Sequence, residues 1–179
     1  MILTGKQIYE EVKKGSILID PFDPELLNPN SYNFRLGRQI STYESGIIDT
    51  RNKASIVNHE IPEEGFLLEP GVLYLGHTIE RMGSSVFVPI LGGRSSTGRL
   101  GLFVHITAPL GDIGYFGQWT LQFRATVPVK IYHGQKIGQM IFVHSYGEIT
   151  QYTGKYQGGC GPQPYNSKGL FDCQNNDDK

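Results

Sequence analysis

A mainly β domain, its sheet doubled or closed into a jelly-roll or barrel, is the fold class this sequence predicts. Two observations carry that expectation. Short segments rich in β-branched and aromatic residues follow one another from Ser16 to Ser145, and the gaps between them hold Gly, Pro, Asn or Asp, the residues that turn a chain. Only a stretch near the N-terminus places apolar residues at helical spacing. Many short strands in an open sheet would leave many exposed edges, and closure or doubling removes them.

The helix comes first. From Thr4 to about Lys14, Ile8, Tyr9 and Val12 recur at helical intervals, with Thr4 placed to cap the start and Gly15 to stop the end. The segments SILIDP, SYNFRLGRQIST, GIIDT, GFLLEPG, VLYLGHTIER, SVFVPIL, GLFVHITA, QWTLQFRAT, VPVKIYHGQ and IGQMIFVHS then read as strands. Two polar stretches interrupt them. Tyr43 to Glu60 reads as an elaborated loop or edge arm, and the sequence beyond Tyr146 combines Gly, Pro, Asn and charge without a run long enough to join a core. The expected organisation is one β domain over residues 1–150 and a flexible C-terminal lid or tail over 151–179. In that tail Tyr152, Lys155, Tyr156 and Gln157 are residue types suited to folding over a charged, aromatic-sized ligand.

Composition narrows the function classes. A chain of 179 residues, 39% hydrophobic, is large enough for one domain with a proper core. Its net charge of -1 leaves no electrostatic footprint for tracking a nucleic-acid backbone, so any phosphate recognition is local. No apolar run has the length of a membrane span, and MILTGKQIYEEVKKG is an amphipathic opening and not a signal sequence. The expectation is a soluble, cytoplasmic protein without nucleic-acid or membrane partners. Cys160 and Cys173 are too few for a disulfide framework and read as free thiols. Neither the H-x-E nor the P-C-x-x-C element of a zinc deaminase occurs, so no zinc is expected.

One turn carries concentrated chemistry. In LGGRSSTGRL, Arg94, Ser95, Ser96 and Arg99 set two guanidinium forks and two hydroxyls beside small glycines. Such forks match phosphate oxygens bidentately, although the same residues also suit a solvated turn paired with surface carboxylates. Asp112, in LGDIG, reads on spacing alone as a turn former. His105, by itself, reads as a packed histidine on a β strand.

Together, NPNSYNFRLG, LLEPGVLYLGHTIE, GGRSSTGRLGLFVHITAPLGDIGYFGQWTLQF, GQKIGQMIF and GKYQGGCGP resemble, in order and over roughly residues 1 to 163, the dCTP deaminase family with its bifunctional deaminase/dUTPase members. The resemblance implies a distorted dUTPase-like β-barrel or jelly-roll of the β-clip type. It also implies a homotrimer with nucleotide sites between subunits, and Mg²⁺ carried on the triphosphate. It places Arg94, Ser95, Ser96 and Arg99 on the phosphate-binding motif, with Lys155 added from the lid. His105, Thr107 and Ala108 fall on the strand lining the base and sugar pocket, and Asp112 on the carboxylate that prepares a water for attack on the phosphate chain. Tyr152, Tyr156 and Gln157 look like the C-terminal lid.

The chain departs from the family pattern at three places. WTLQF puts Gln122 where the family's TLE carries the glutamate that shuttles protons during deamination. A carboxamide donates and accepts hydrogen bonds but has no useful proton affinity near neutral pH. Gly159 replaces a lid side chain able to reach the nucleotide, and Asn33 stands where S-Y-D is usual. The features left intact favour a hydrolase that cleaves a dUTP-like triphosphate to monophosphate and pyrophosphate, with Gln122 reading the base edge. A dCTP deaminase, or an inactive nucleotide sensor or sequestering protein, are the alternatives.

Overall fold

The computed structural model describes residues 1–44 and 46–167. Helix α1, Gly5–Lys14, begins and ends where its sequence predicts: the Thr4 hydroxyl accepts from the Gln7 N–H at 3.3 Å, and Gly15 stops the helix at φ +77°. Ile8 on its inner face is fully buried. Glu11 is also buried, and its carboxylate accepts from Gln7 Nε2 at 2.7 Å, from Lys14 Nζ at 2.9 Å and from the Ser16 hydroxyl. The Lys14 and Ser16 donors, outweighing burial, hold its pKa down to about 2. A depressed carboxylate contributes stability that is fully present above its ordinary value of 4.5 and disappears as pH falls toward 2. Thermal unfolding followed between those limits should therefore show a steeper loss in the parent protein than in Glu11→Gln.

The strands are β1 Ile17–Asp20, β2 Leu27–Asn28, β3 Ser31–Arg35, β4 Gln39–Tyr43, β5 Ile56–Glu60, β6 Phe66–Leu68, β7 Tyr74–Ser84, β8 Phe87–Gly93, β9 Leu102–Phe103, β10 Phe116–Ala125, β11 Val129–Ile131 and β12 Lys136–His144. A four-residue helix, α2 Ser95–Gly98, follows β8. All strand pairs are antiparallel. One sheet runs β5-β4-β7-β10-β9 with β1 added to β7, a second runs β2-β3-β12-β8, and β6 pairs with β11. The fold is the mainly β one expected, with a single N-terminal helix on it. Tyr32, Phe34, Ile40, Leu68, Met82, Leu121, Phe123 and Phe142 fill the space between the sheets, each fully buried.

An ion pair joins the two larger sheets. Glu80 of β7, with no exposed side-chain surface, accepts from Arg35 of β3 through Nε at 2.7 Å and through the backbone N–H at 2.9 Å. Both carboxylate oxygens thereby find donors, which a buried carboxylate needs.

Two segments read as strands differ, one wholly and one in most of its length. GIIDT turns, because Asp49 Oδ1 accepts from Arg51 N at 2.9 Å and Oδ2 from Asn52 Nδ2 at 2.8 Å, closing the chain on itself. GLFVHITA keeps only Leu102–Phe103 as strand, because His105 Nε2 donates to the Ala108 carbonyl at 2.6 Å and bends residues 105–108 into a loop. The arm from Tyr43 to Glu60 returns as β5, paired with β4 from Gln39↔Glu60 to Tyr43↔Ile56.

Candidate functional site

β10 supplies the floor of the main cavity. Its period-two pattern sends Leu121, Phe123 and Ala125 into the core and turns Thr120 and Gln122 to the opposite face. Between Gln118 and Thr120 the pairing with β7 shifts register. This irregularity frees the Trp119 N–H, which Thr78 Oγ1 takes up at 2.9 Å, while Trp119 Nε1 donates to the Met82 carbonyl at 2.9 Å. Both bonds fix the indole as a cavity wall. The cavity encloses about 390 Å³, a size suited to a small organic ligand.

Asp112, Gln122, His105, Ala108, Tyr152 and Tyr156 all line it, so the structure brings these sequence-predicted residues together. The Asp112 loop is pinned from both sides: Gly111 N donates to Pro89 O at 2.8 Å and Gly114 N to Ser84 O at 2.7 Å. Gly111 is required by close approach, because an added Cβ would lie 2.3 Å from the Trp119 ring. Asp112 itself is exposed at the cavity edge. The Gln122 N–H donates to Val104 O at 3.1 Å, and among the described residues no hydrogen bond engages its carboxamide. His105, whose Nε2 carries the proton given to Ala108, has a buried Nδ1 without a partner among the described residues. Burial lowers its pKa, against the opposing pull of that carbonyl, so the ring is neutral at neutral pH and Nδ1 is an acceptor. His105, Thr107 and Ala108 therefore lie in a loop, where a strand was expected, and Thr107 does not line the cavity.

The tail closes one side. Tyr152 N donates to Ile113 O at 2.7 Å, Gly158 N to Phe116 O at 3.2 Å, and Gln118 N to Gly159 O at 2.9 Å. Gln157 lies between them, its Oε1 accepting from Phe116 N at 2.9 Å and its Nε2 donating to Gly114 O at 2.7 Å. Its carboxamide is thus committed to the protein's own backbone. A Cβ at Gly159 would come within 2.7 Å of the Tyr115 hydroxyl, so this docked arrangement leaves no room for the side chain the family pattern has there. Cys160 is exposed and free, and Cys173 lies outside the described residues.

Sequence reasoning missed several lining residues: Tyr43, Leu75, Tyr115, Trp119, Thr120, Gln163, Pro164 and Tyr165. Tyr165 bridges to the arm, its hydroxyl donating to Thr50 O at 2.8 Å. Only the aromatic richness of the tail hinted at such a wall.

Arg94, Ser95, Ser96 and Arg99 do not line this cavity, and neither does Lys155, which donates to Asn166 O at 2.8 Å. The turn stands on the far end of β8, tied to β12 by Arg94 Nη1 to Lys136 O and Thr97 Oγ1 to Ile137 O, each 3.2 Å. Around it Leu100, Phe103 and Val127 are each more than half exposed. Among the described residues no group of three or more His, Cys, Asp or Glu side chains is placed to hold a metal ion, and no helix is long and apolar enough to cross a membrane.

Comparison with known proteins places this architecture. The chain is 49% identical over 165 residues to the dCTP deaminase, dUMP-forming, of Hathewaya histolytica, covering 92% of this chain and 95% of that one. It is equally similar, 49% over 165 residues, to the protein of the same description from Leptospira biflexa, covering 92% and 94%. In fold it matches the crystal structure of 2'-deoxycytidine 5'-triphosphate deaminase from Agrobacterium tumefaciens, with a TM-score of 0.64 at 19% identity over 80% of this chain. The match spans about half of that longer chain, 48%. The model of the dCTP deaminase-like family matches residues 2–145, and with relatives this similar over nearly their whole length, the chain belongs to the dCTP deaminase-like family.

Proposed function

We propose that the protein converts dCTP to dUMP, the activity named for its relatives from Hathewaya histolytica and Leptospira biflexa. The balanced reaction takes two waters: one replaces the ring amine, released as ammonia, and one cleaves the phosphate chain, releasing pyrophosphate. The observation that carries this reading is the placement of Asp112 and Gln122 on one cavity that has aromatic walls and a tail across it. Asp112, exposed at the rim, is the carboxylate available to take a proton from the water attacking the phosphate chain. Gln122, deeper on β10, orients the pyrimidine edge by donating and accepting hydrogen bonds.

The phosphate contacts are assigned to Arg94, Ser95, Ser96 and Arg99, with Lys155 from the tail. Because that turn lies outside its own chain's cavity, the reading includes a homotrimer in which a neighbouring copy supplies the turn. The exposed Leu100, Phe103 and Val127 flanking it support such a contact. Asp112 is the carboxylate among the cavity-lining residues, so Mg²⁺ fits this site as a companion of the triphosphate and not of a protein cage. Bound there, the ion would neutralise charge on the phosphate oxygens.

One observation favours a second reading, hydrolysis of dUTP alone: Gln122 cannot relay protons to a leaving amine. Incubation with dCTP or dUTP and Mg²⁺, with products resolved by ion-exchange chromatography, separates the two. dUMP and ammonia from dCTP support the first reading, and dUMP from dUTP with dCTP untouched supports the second. Unchanged nucleotides with measurable binding would overturn both. Gln122→Glu should raise ammonia release from dCTP by about two orders of magnitude or more, read in a coupled ammonia assay.

A further inference from the structure

Behind the Arg94–Arg99 turn lies a chain of polar side chains that the reaction above does not use. Asn33 Nδ2 donates to Asn28 Oδ1 at 3.0 Å, Asn28 Nδ2 to Ser31 Oγ at 3.0 Å, and the Ser31 hydroxyl to Gln139 Oε1 at 2.9 Å. Gln139 Nε2 then donates to the carbonyl of Gly93 at 3.2 Å. Ser31 and Asn33 are 2% and 4% exposed, which shields the inner links from water, while Asn28 and Gln139 are half-buried and the last bond, to Gly93, lies at the surface. Strand pairing builds the path, since Gln139 of β12 sits opposite Asn33 of β3 on one side and Gly92 of β8 on the other.

The chain has a direction. Ser31 has one hydroxyl proton and gives it to Gln139 Oε1, which leaves Gln139 presenting N–H to Gly93. Reversal would set Gln139 Oε1 against the Gly93 carbonyl, acceptor facing acceptor. At the other end Asn33 Oδ1 is buried with no partner among the described residues, so no donor there drives the sequence backwards. The path ends on the peptide that leads into Arg94.

The glycines beside that peptide point outward. An added Cβ would meet nothing within 4 Å at Gly92 and Gly98, and only Val104 at 3.8 Å or beyond at Gly93, and φ is not positive at any of them. Packing within the chain does not require glycine there. Open backbone of this kind beside exposed serines and arginines suits close approach by a ligand from outside the chain.

We propose that Asn33, Asn28, Ser31 and Gln139 are positioning residues that orient the Gly93–Arg94 peptide and thereby set the affinity of the turn for a phosphate chain. The proposal rests on reading residues 94–99 as the phosphate turn. Its test uses the full-length protein and two probes, the non-hydrolysable α,β-imido analogue of dUTP and dUMP, titrated by calorimetry. Losing one such hydrogen bond is worth about 2- to 10-fold in affinity. Ser31→Ala and Gln139→Glu should weaken the triphosphate analogue by that factor and leave dUMP unchanged, while Ser31→Thr, which keeps the hydroxyl, restores binding. Asn33→Asp, which offers only acceptors to Asn28 Oδ1, should act like Ser31→Ala. Equal weakening of both probes, or no weakening of either, overturns the relay. Arg94→Ala is the control for the underlying reading: if it leaves the preference for triphosphate over monophosphate intact, the turn is not the phosphate site, whatever the relay variants do.

Discussion

Replacing Asp112 with Asn is expected to lower the rate of pyrophosphate release by roughly two to four orders of magnitude, the usual scale for losing a general base. The change keeps the side chain's shape and removes its proton affinity. The loop around it is held by backbone bonds from Gly111 to Pro89 and from Gly114 to Ser84, neither of which involves the Asp112 carboxylate. Binding of the imido analogue should accordingly stay within a few fold. Single-turnover measurements separate the two quantities, and pyrophosphate release at the parent rate would remove Asp112 from the chemistry.

The largest effect on stability is expected at Arg35→Met. Glu80 is fully buried and both its oxygens accept from Arg35, one from the guanidinium and one from the backbone N–H. Methionine preserves much of the aliphatic stem and the backbone donor but leaves a buried carboxylate with half its partners. Breaking a buried pair from one side typically costs about 3–5 kcal/mol. For a chain of this size that lowers Tm by on the order of 10 °C, measurable by calorimetry. A companion change, Glu80→Gln with Arg35→Met, should recover part of the loss because no unpaired charge remains inside.

Much of the architecture was legible because local signals agreed. Thr4 and Gly15 bracket Ile8 and Val12, and the alternation Leu121, Phe123, Ala125 against Thr120, Gln122 is that of a half-buried strand. Where the reading over-extended, β-branched residues were responsible. Ile47 and Ile106 carry strand propensity, yet the Asp49 side chain and the His105–Ala108 bond turn their segments. Both isoleucines end up exposed. Trp119 as a cavity wall was hidden for a different reason, since its position depends on a register shift between β10 and β7. Tyr43 and Tyr165 meet only in three dimensions, 122 residues apart in sequence. The motifs point to Asp112 and Gln122, while the separation of the Arg94 turn from their cavity exists only in the folded chain.

The docked tail has a thermodynamic meaning for every ligand the cavity takes. Its bonds to β10 are shared between peptide groups, Gly158 N to Phe116 O and Gln118 N to Gly159 O, and side-chain acceptors, Gln157 Oε1, Gln118 Oε1 and Thr120 Oγ1, and water replaces such bonds at small net loss. A nucleotide that fits only beneath the closed tail would bind with an apparent Kd equal to the intrinsic value divided by the closed fraction. Sequence changes along residues 152–165 could then tune affinity for different ligands by a common factor, through the closed population and without touching the atoms that recognise any one of them.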